Sequence, residues 1–163
     1  MELLPVKVCH LKQVANIYNH AIKYTTATFD TEPTTAEVWQ KLLYEDALPF
    51  FIAEEDQHVL AWCRLSPYST KKAFSSTVEI STYVDHRHTG RGIGGAVTMA
   101  AIRAGLTSQL HTAVAKITAG NSQSLNLFHK LGFEHTGRIK QAGYKFDKYF
   151  DVEILQAFFS NYH

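Results

Sequence analysis

Residues 77–95, Thr-Val-Glu-Ile-Ser-Thr-Tyr-Val-Asp-His-Arg-His-Thr-Gly-Arg-Gly-Ile-Gly-Gly, constrain this chain more than any other stretch. Thr77 to Val84 is mostly β-branched or aromatic, the composition strands favour. Alternation sends Val78, Ile80, Thr82 and Val84 to one face, and Thr77, Glu79, Ser81 and Tyr83 to the other. Gly90, Gly92, Gly94 and Gly95 break that pattern, and Ile93 to Leu106 is rich in helix-compatible residues. A glycine-rich turn feeding a helix leaves bare backbone N–H groups at the positive end of the helix dipole, a site suited to phosphate or pyrophosphate. The stretch therefore predicts strand, tight turn and helix, with a phosphate-bearing ligand held mainly by main chain.

The flanking segments supply the rest of a sheet. Residues 3–8 read as a short first strand, with Pro5 suggesting a sheet edge. Leu11, Val14, Ala15, Ile17, Tyr18, Ala21 and Ile22 recur at helical spacing and predict an amphipathic helix ending before the segment Tyr24–Thr28. Phe29–Pro33 reads as a loop or short extended piece, and Thr34 or Thr35 caps a second helix carrying Val38, Trp39, Leu42 and Leu43. Residues 50–54 and 59–65 predict a hairpin around the polar turn Glu55–His58, and Ser66–Ser76 reads as a loop. Residues 111–118 predict a strand parallel to 77–84, joined through the helix as a right-handed β-α-β unit. A helix follows from Asn121 to Lys130 with Gly132 as its stop, then two closing strands at 133–139 and 148–156 with Gly143 in the turn region between them. The order predicts one α/β domain over residues 1–163, built on a mixed sheet.

Composition narrows the function classes. A net charge of +1 without a long basic run argues against nucleic acid and against an acidic membrane surface. Cys9 and Cys63 form no metal framework and no CxxC, and read as isolated thiols in a reducing compartment. With no signal-peptide pattern at Met1–Lys7 and no apolar run long enough to span a bilayer, the expected location is the cytoplasm. His86-Arg87-His88 has no third ligand in range, so no metal site is expected.

Gly90–Gly95 formally satisfies G-x-G-x-x-G, but a dinucleotide-binding reading fails on context. Leu110–Gly120 lacks the acidic residue for a ribose, and residues 121–163 are too few for further β-α units. Tyr83-Val84 followed by Thr89-Gly-Arg-Gly-Ile-Gly94 instead resembles the acyl-CoA pyrophosphate loop of the GNAT N-acetyltransferase superfamily, with Thr89 standing where the family usually has Arg or Gln. A second signature appears in order: Asn121, Ser124, an aromatic at Phe128, and Gly132-Phe133. Tyr18-Asn19-His20, Thr28-Phe29-Asp30-Thr31-Glu32-Pro33, Thr77-Val78-Glu79, Arg87-His88 and Ala142–Phe146 with Asp151-Val152 are similar to the phosphinothricin (bialaphos-resistance) acetyltransferase group, over nearly the whole chain.

The resemblance implies a GNAT fold, with splayed parallel strands in a helix-flanked mixed sheet. It also implies acetyl-CoA as cosubstrate, a small amino-acid-like amine as acceptor (phosphinothricin, methionine sulfoximine or methionine sulfone type) and a homodimer. The expected cofactor-binding set is Thr82, Tyr83, Val84, Thr89, Gly90, Arg91, Gly92, Ile93, Gly94, Gly95, Asn121 and Ser124. The backbone N–H of Tyr83 or Val84 would polarise the thioester carbonyl. Asn121 has a second reading as a helix N-cap.

Glu79, the acid of the 77–84 strand, is the expected general base, since a partly desolvated carboxylate there would gain basicity; its other reading is a surface strand residue or half of an ion pair. Phe29, Lys71, Phe74 and Tyr144 are the expected acceptor-side residues. Phe128 has no hydroxyl to protonate a leaving thiolate, where many relatives have Tyr, and the coenzyme A thiol can leave as thiolate. The competing expectations are another amine, such as a protein N-terminus or a polyamine bound through Asp30, Glu32 or Asp151, and a non-catalytic acyl-CoA-binding module.

Overall fold

Alternation and helical period resolve into a seven-stranded sheet and four α-helices in a computed structural model that describes residues 1–163. In chain order the elements are β1 (Glu2–Pro5), α1 (Leu11–Tyr24), α2 (Ala36–Asp46), β2 (Phe50–Glu55), β3 (His58–Pro67), β4 (Thr77–Val84), α3 (Ile93–Thr107), β5 (Thr112–Thr118), α4 (Ser122–Lys130), β6 (Glu134–Lys145) and β7 (Lys148–Phe158). The sheet order is β1-β2-β3-β4-β5-β7-β6. Only β4 and β5 pair in parallel, and α3 makes the crossover between them.

Each face of the sheet carries its own core. On one side α1 buries the seven positions its period predicts, Leu11, Val14, Ala15, Ile17, Tyr18, Ala21 and Ile22, and all but Ala21 cluster with Trp39, Phe50, Ile52, Val59 and Trp62. On the other side Val97, Ala101 and Ile102 of α3 meet Leu65, Val78, Ile80, Ala113, Ile117 and Leu155. Each fully buried aliphatic side chain contributes about 1.5–3 kcal/mol, so these two cores dominate the stability. Thr35 caps α2, its hydroxyl accepting from Val38 N–H at 3.4 Å.

Two boundaries differ from the sequence reading. The first strand ends at Pro5, because Val8–His10 winds into a 3-10 turn and the Lys7 amide donates to His10 Nδ1 at 3.0 Å. Gly143 is not in a turn. It lies inside β6 opposite Phe150, and the turn is at Phe146 and Asp147, which take positive φ values of 51° and 58°. The glycine is there for close approach: a Cβ at 143 would sit 2.5 Å from the Phe29 ring. A glycine inside a strand marks such an approach as often as it marks a turn.

Candidate active site

The pairing of β4 with β5 stops part-way. Thr77, Val78 and Glu79 pair with Thr112, Ala113 and Val114, and no register continues beyond Glu79–Val114. Past that point the two strands bound a cavity of about 370 Å³. Ile80 to Val84 form one wall and Lys116 to Thr118 the other. Ile17, His20 and Ala21 of α1 close one end, with Thr25 and Ala27 beyond them, and Asn121, Ser124, Leu127 and Phe128 close the other.

Hydrogen-bond alternation tells which amides face this gap. Asp85 N–H donates to Leu60 O at 2.8 Å, and Tyr68 N–H donates to Thr77 O at 3.4 Å. In an antiparallel pair such bonds recur at every second residue, so the odd-numbered amides of β4 belong to β3. Tyr83 N–H is thereby committed to β3, and it is Val84, with Thr82 and Ile80, that turns its main chain toward the gap. Of the two carbonyl anchors the sequence offered, only Val84 is free.

The gap leads to the glycine turn. Gly90 and Gly92 adopt φ of 78° and 75°, the left-handed region that glycine enters without a Cβ penalty. Gly92 is the N-cap of α3 and offers no side-chain cap. The backbone N–H groups of Thr89 through Gly95 donate to nothing within the protein, and the first intrahelical bond is Ala96 N–H to Gly92 O at 3.2 Å. Gly94 lets the helix start lie on the sheet, since a Cβ there would be 2.8 Å from Leu127 Cδ1 and 3.1 Å from Val84 Cγ2. Arg91 is drawn aside: its guanidinium lies 3.6 Å from Glu55 and 3.1 Å from His88 Nδ1.

Side-chain hydroxyls hold the open ends of the strands. Thr82 bonds Thr98 of α3 at 2.6 Å, and Tyr83 OH donates to Ala27 O at 3.2 Å. Thr118 Oγ1 donates to Thr26 O, so the segment after α1 bridges both strands. Lys145, buried in β6, donates to the carbonyls of Thr25 at 2.6 Å and Thr28 at 2.9 Å and stiffens the same segment. Burial lowers the Lys145 pKa from its ordinary value. Tyr18 OH meets Thr28 at 2.8 Å and also donates to Asp30.

The expected site residues divide. Thr82, Tyr83, Val84, Thr89, Asn121 and Ser124 line the cavity, and Gly90–Gly95 forms the turn beyond it. Asn121 is also the N-cap of α4, its side-chain oxygen accepting from Ser124 N–H at 3.2 Å. Glu79 stands at the last paired register, but it is not on the cavity wall and is not isolated from charge. Its Oε1 receives Lys116 Nζ at 2.5 Å, with the side chain 29% exposed. Phe29, Lys71, Phe74 and Tyr144 do not line the cavity. Phe29 fills the space over Gly143, Phe74 pairs with Tyr68 at 5.4 Å, and Tyr144 packs at a tilt against Tyr149 at 4.8 Å. Phe128 is a buried core residue, edge-on to Phe133, that also shows a face to the cavity. Lys116 and His20 are wall residues without an assigned role in the sequence reading. Tyr18-Asn19-His20 was visible as a motif, whereas nothing local marks Lys116.

The acetyltransferase (GNAT) family matches residues 14–133 of the chain. The chain belongs to the GNAT acetyltransferase family. This GNAT protein is 36% identical to a phosphinothricin N-acetyltransferase of Streptomyces coelicolor over 87% of its length and 86% of the relative's. It is 31% identical to an L-methionine sulfoximine/L-methionine sulfone acetyltransferase of Pseudomonas aeruginosa, covering 91% of this chain and 89% of that one. A Salmonella typhimurium protein, solved with its cofactor acetyl-CoA, superposes with a TM-score of 0.92 at 26% identity, over 97% of this chain and 93% of the other. No helix of this GNAT protein is long and apolar enough to cross a membrane.

Proposed function

We propose that this GNAT protein moves an acetyl group from acetyl-CoA to the α-amino group of a small amino-acid-like acceptor of the phosphinothricin, methionine sulfoximine or methionine sulfone type. One observation carries the reading: the free main chain of the open β4 edge runs on into the uncapped N-terminus of α3. A pantetheine arm pairs with such an edge as a strand would, and a pyrophosphate suits the helix start. Thr89–Gly95 is the pyrophosphate cradle in this reading, and Asn121 and Ser124 border the arm.

The chemistry follows from what borders the gap. An acceptor amine attacks the thioester carbon, whose carbonyl oxygen takes a hydrogen bond from Val84 N–H as negative charge develops on it. The C–N bond forms, the C–S bond breaks and the sulfur leaves as thiolate. Glu79 is the base of this reading, reaching the amine through a water from the point where the strands part. Direct attack is favoured over an acyl-cysteine route because Cys63 is fully buried, which pushes its thiol up to about 12, and Cys9 is exposed on a separate turn.

Lys116 offers the cavity a cation for an acceptor carboxylate, and the wall carries no Asp or Glu of the kind a polyamine would need. Exposed Ile139, Tyr144, Phe146 and Tyr149 on the β6–β7 hairpin support a homodimer. The cytoplasm is the location that accompanies this reading.

Free-thiol release measured across phosphinothricin, methionine sulfoximine, methionine sulfone and polyamines tests the substrate class. Turnover on the amino-acid analogues is expected, and turnover confined to polyamines overturns it. Glu79→Gln should lower kcat by about 100-fold or more, with acetyl-CoA affinity unchanged; wild-type kcat in that variant removes Glu79 from the mechanism.

A further inference from the structure

Acetyl transfer to an ammonium leaves a proton to be placed. The ammonium and the thioester become an amide, a thiol and one free proton: nitrogen sheds two protons, and sulfur takes up one of them. The titratable side chains on the cavity wall are His20, Tyr83, His86 and Lys116. Burial pushes the Tyr83 hydroxyl up to about 12, so it stays protonated. Lys116 is a cation tied to Glu79. The two imidazoles remain. They stack with ring centroids 3.8 Å apart and planes 5° from parallel. The same two rings also line a second, polar cavity of about 470 Å³, between α1, the β2–β3 turn and the turn after β4. The pair is therefore a shared wall, with the acceptor cavity on one side and a polar basin on the other.

We propose that His20 accepts a proton from the acceptor nitrogen and releases it to the polar basin that its own ring also borders, with the stacked His86 holding that ring neutral between turnovers. The inference rests on the acetyl-transfer reading above and adds a second proton acceptor to Glu79.

The surroundings of the pair set the charge state of His20. His86 Nδ1 lies 3.5 Å from Asp85 Oδ1. Asp85 is buried, and its hydrogen bonds from Arg87 hold its pKa down at about 2, so a fixed negative charge stands beside His86. The burial of His20, and then the neighbouring His86, lower its pKa from the ordinary value, with Asp85 opposing the shift. It is thus neutral and receptive at neutral pH. The titratable and charged groups around His20 are Tyr24 of its own helix, Tyr83 of β4 and Lys116 of β5 across the cavity, and His86 and Asp85 from the turn after β4. Around the polar basin stand Glu55, Asp56 and His58 of the β2–β3 hairpin, with Arg87 and His88.

The pH dependence of kcat/KM decides it, measured on an acceptor that the wild-type protein turns over, in His20→Asn and in His86→Asn. His20→Asn should lose about 10- to 100-fold in kcat, keep KM for acetyl-CoA within about twofold, and lose the acid limb that protonation of His20 sets. His86→Asn should move that limb to higher pH, because the ring that opposes protonation of His20 is gone. His86 is exposed, so this variant folds and answers even if His20→Asn does not. An unmoved limb in His86→Asn, or a wild-type limb in a folded His20→Asn, overturns the inference and leaves acetyl transfer standing. Silence of the wild-type protein on every amine overturns the acetyl-transfer reading and the inference with it.

Discussion

The two ends of the β4–β5 pair use similar residues to opposite ends. At the closed end Val78 and Ala113 are buried neighbours in register, and their strands are sheet. At the open end the strands carry Thr82, Val84 and Thr118, all β-branched like Val78, and the register is gone. Order is not lost with it. Thr82 is bonded to α3, and Tyr83 and Thr118 are bonded to successive carbonyls of the segment after α1. Hydroxyls brace the strands from outside, so the main chain between them is left for a ligand. A buried strand edge without partners is costly, and here its natural use is to pair with something that arrives.

The comparison can be broken at either end. Gly94→Val should do most damage, because atoms added where a Cβ already comes within 2.8 Å of Leu127 push α3 away from the open edge. Calorimetric titration should show acetyl-CoA affinity down on the order of 100-fold, with about 1–3 kcal/mol lost in stability. At the closed end, Val78→Ala should cost roughly 2 kcal/mol in urea unfolding while kcat/KM stays within about twofold.

Asp85 sharpens the contrast through acid. Its folded pKa of about 2 lies below the ordinary 3.8, so it stabilises the fold above about pH 4, and that contribution is lost as pH falls toward 2. Asp85→Asn should therefore cost up to about 2 kcal/mol at pH 7 and nothing near pH 2, as read by thermal unfolding across pH. The smallest effect belongs to Thr118→Val, which removes one brace: about 1 kcal/mol, with a few-fold weaker acetyl-CoA binding.

What was legible in the chain followed distance along it. The period of α1 named its seven buried positions, because an isolated amphipathic helix writes its burial into local spacing. The strand–turn–helix around Gly92 was legible for the same reason. The partners that long-range register brings together were not. Lys116 meets Glu79 from a strand 37 residues away, and Lys145 reaches carbonyls at Thr25 and Thr28 from across the sheet. Gly143 misled because a turn and a close approach to Phe29 ask for the same residue. Tyr144 was placed with the acceptor by likeness, and lies on the hairpin beside Tyr149. Which amide faces the gap, Val84 and not Tyr83, depends on the parity of the β3 register, which no single strand reveals.

Residue-resolved amide hydrogen exchange, with and without acetyl-CoA, tests the central claim most directly. The account predicts that Thr82, Val84 and the Ile93–Gly95 amides exchange fast in the free protein, that Val78 is already slow, and that acetyl-CoA slows the first group while Val78 keeps its rate. Open-end amides as protected as Val78 before acetyl-CoA is added, or unchanged after it, would contradict the account.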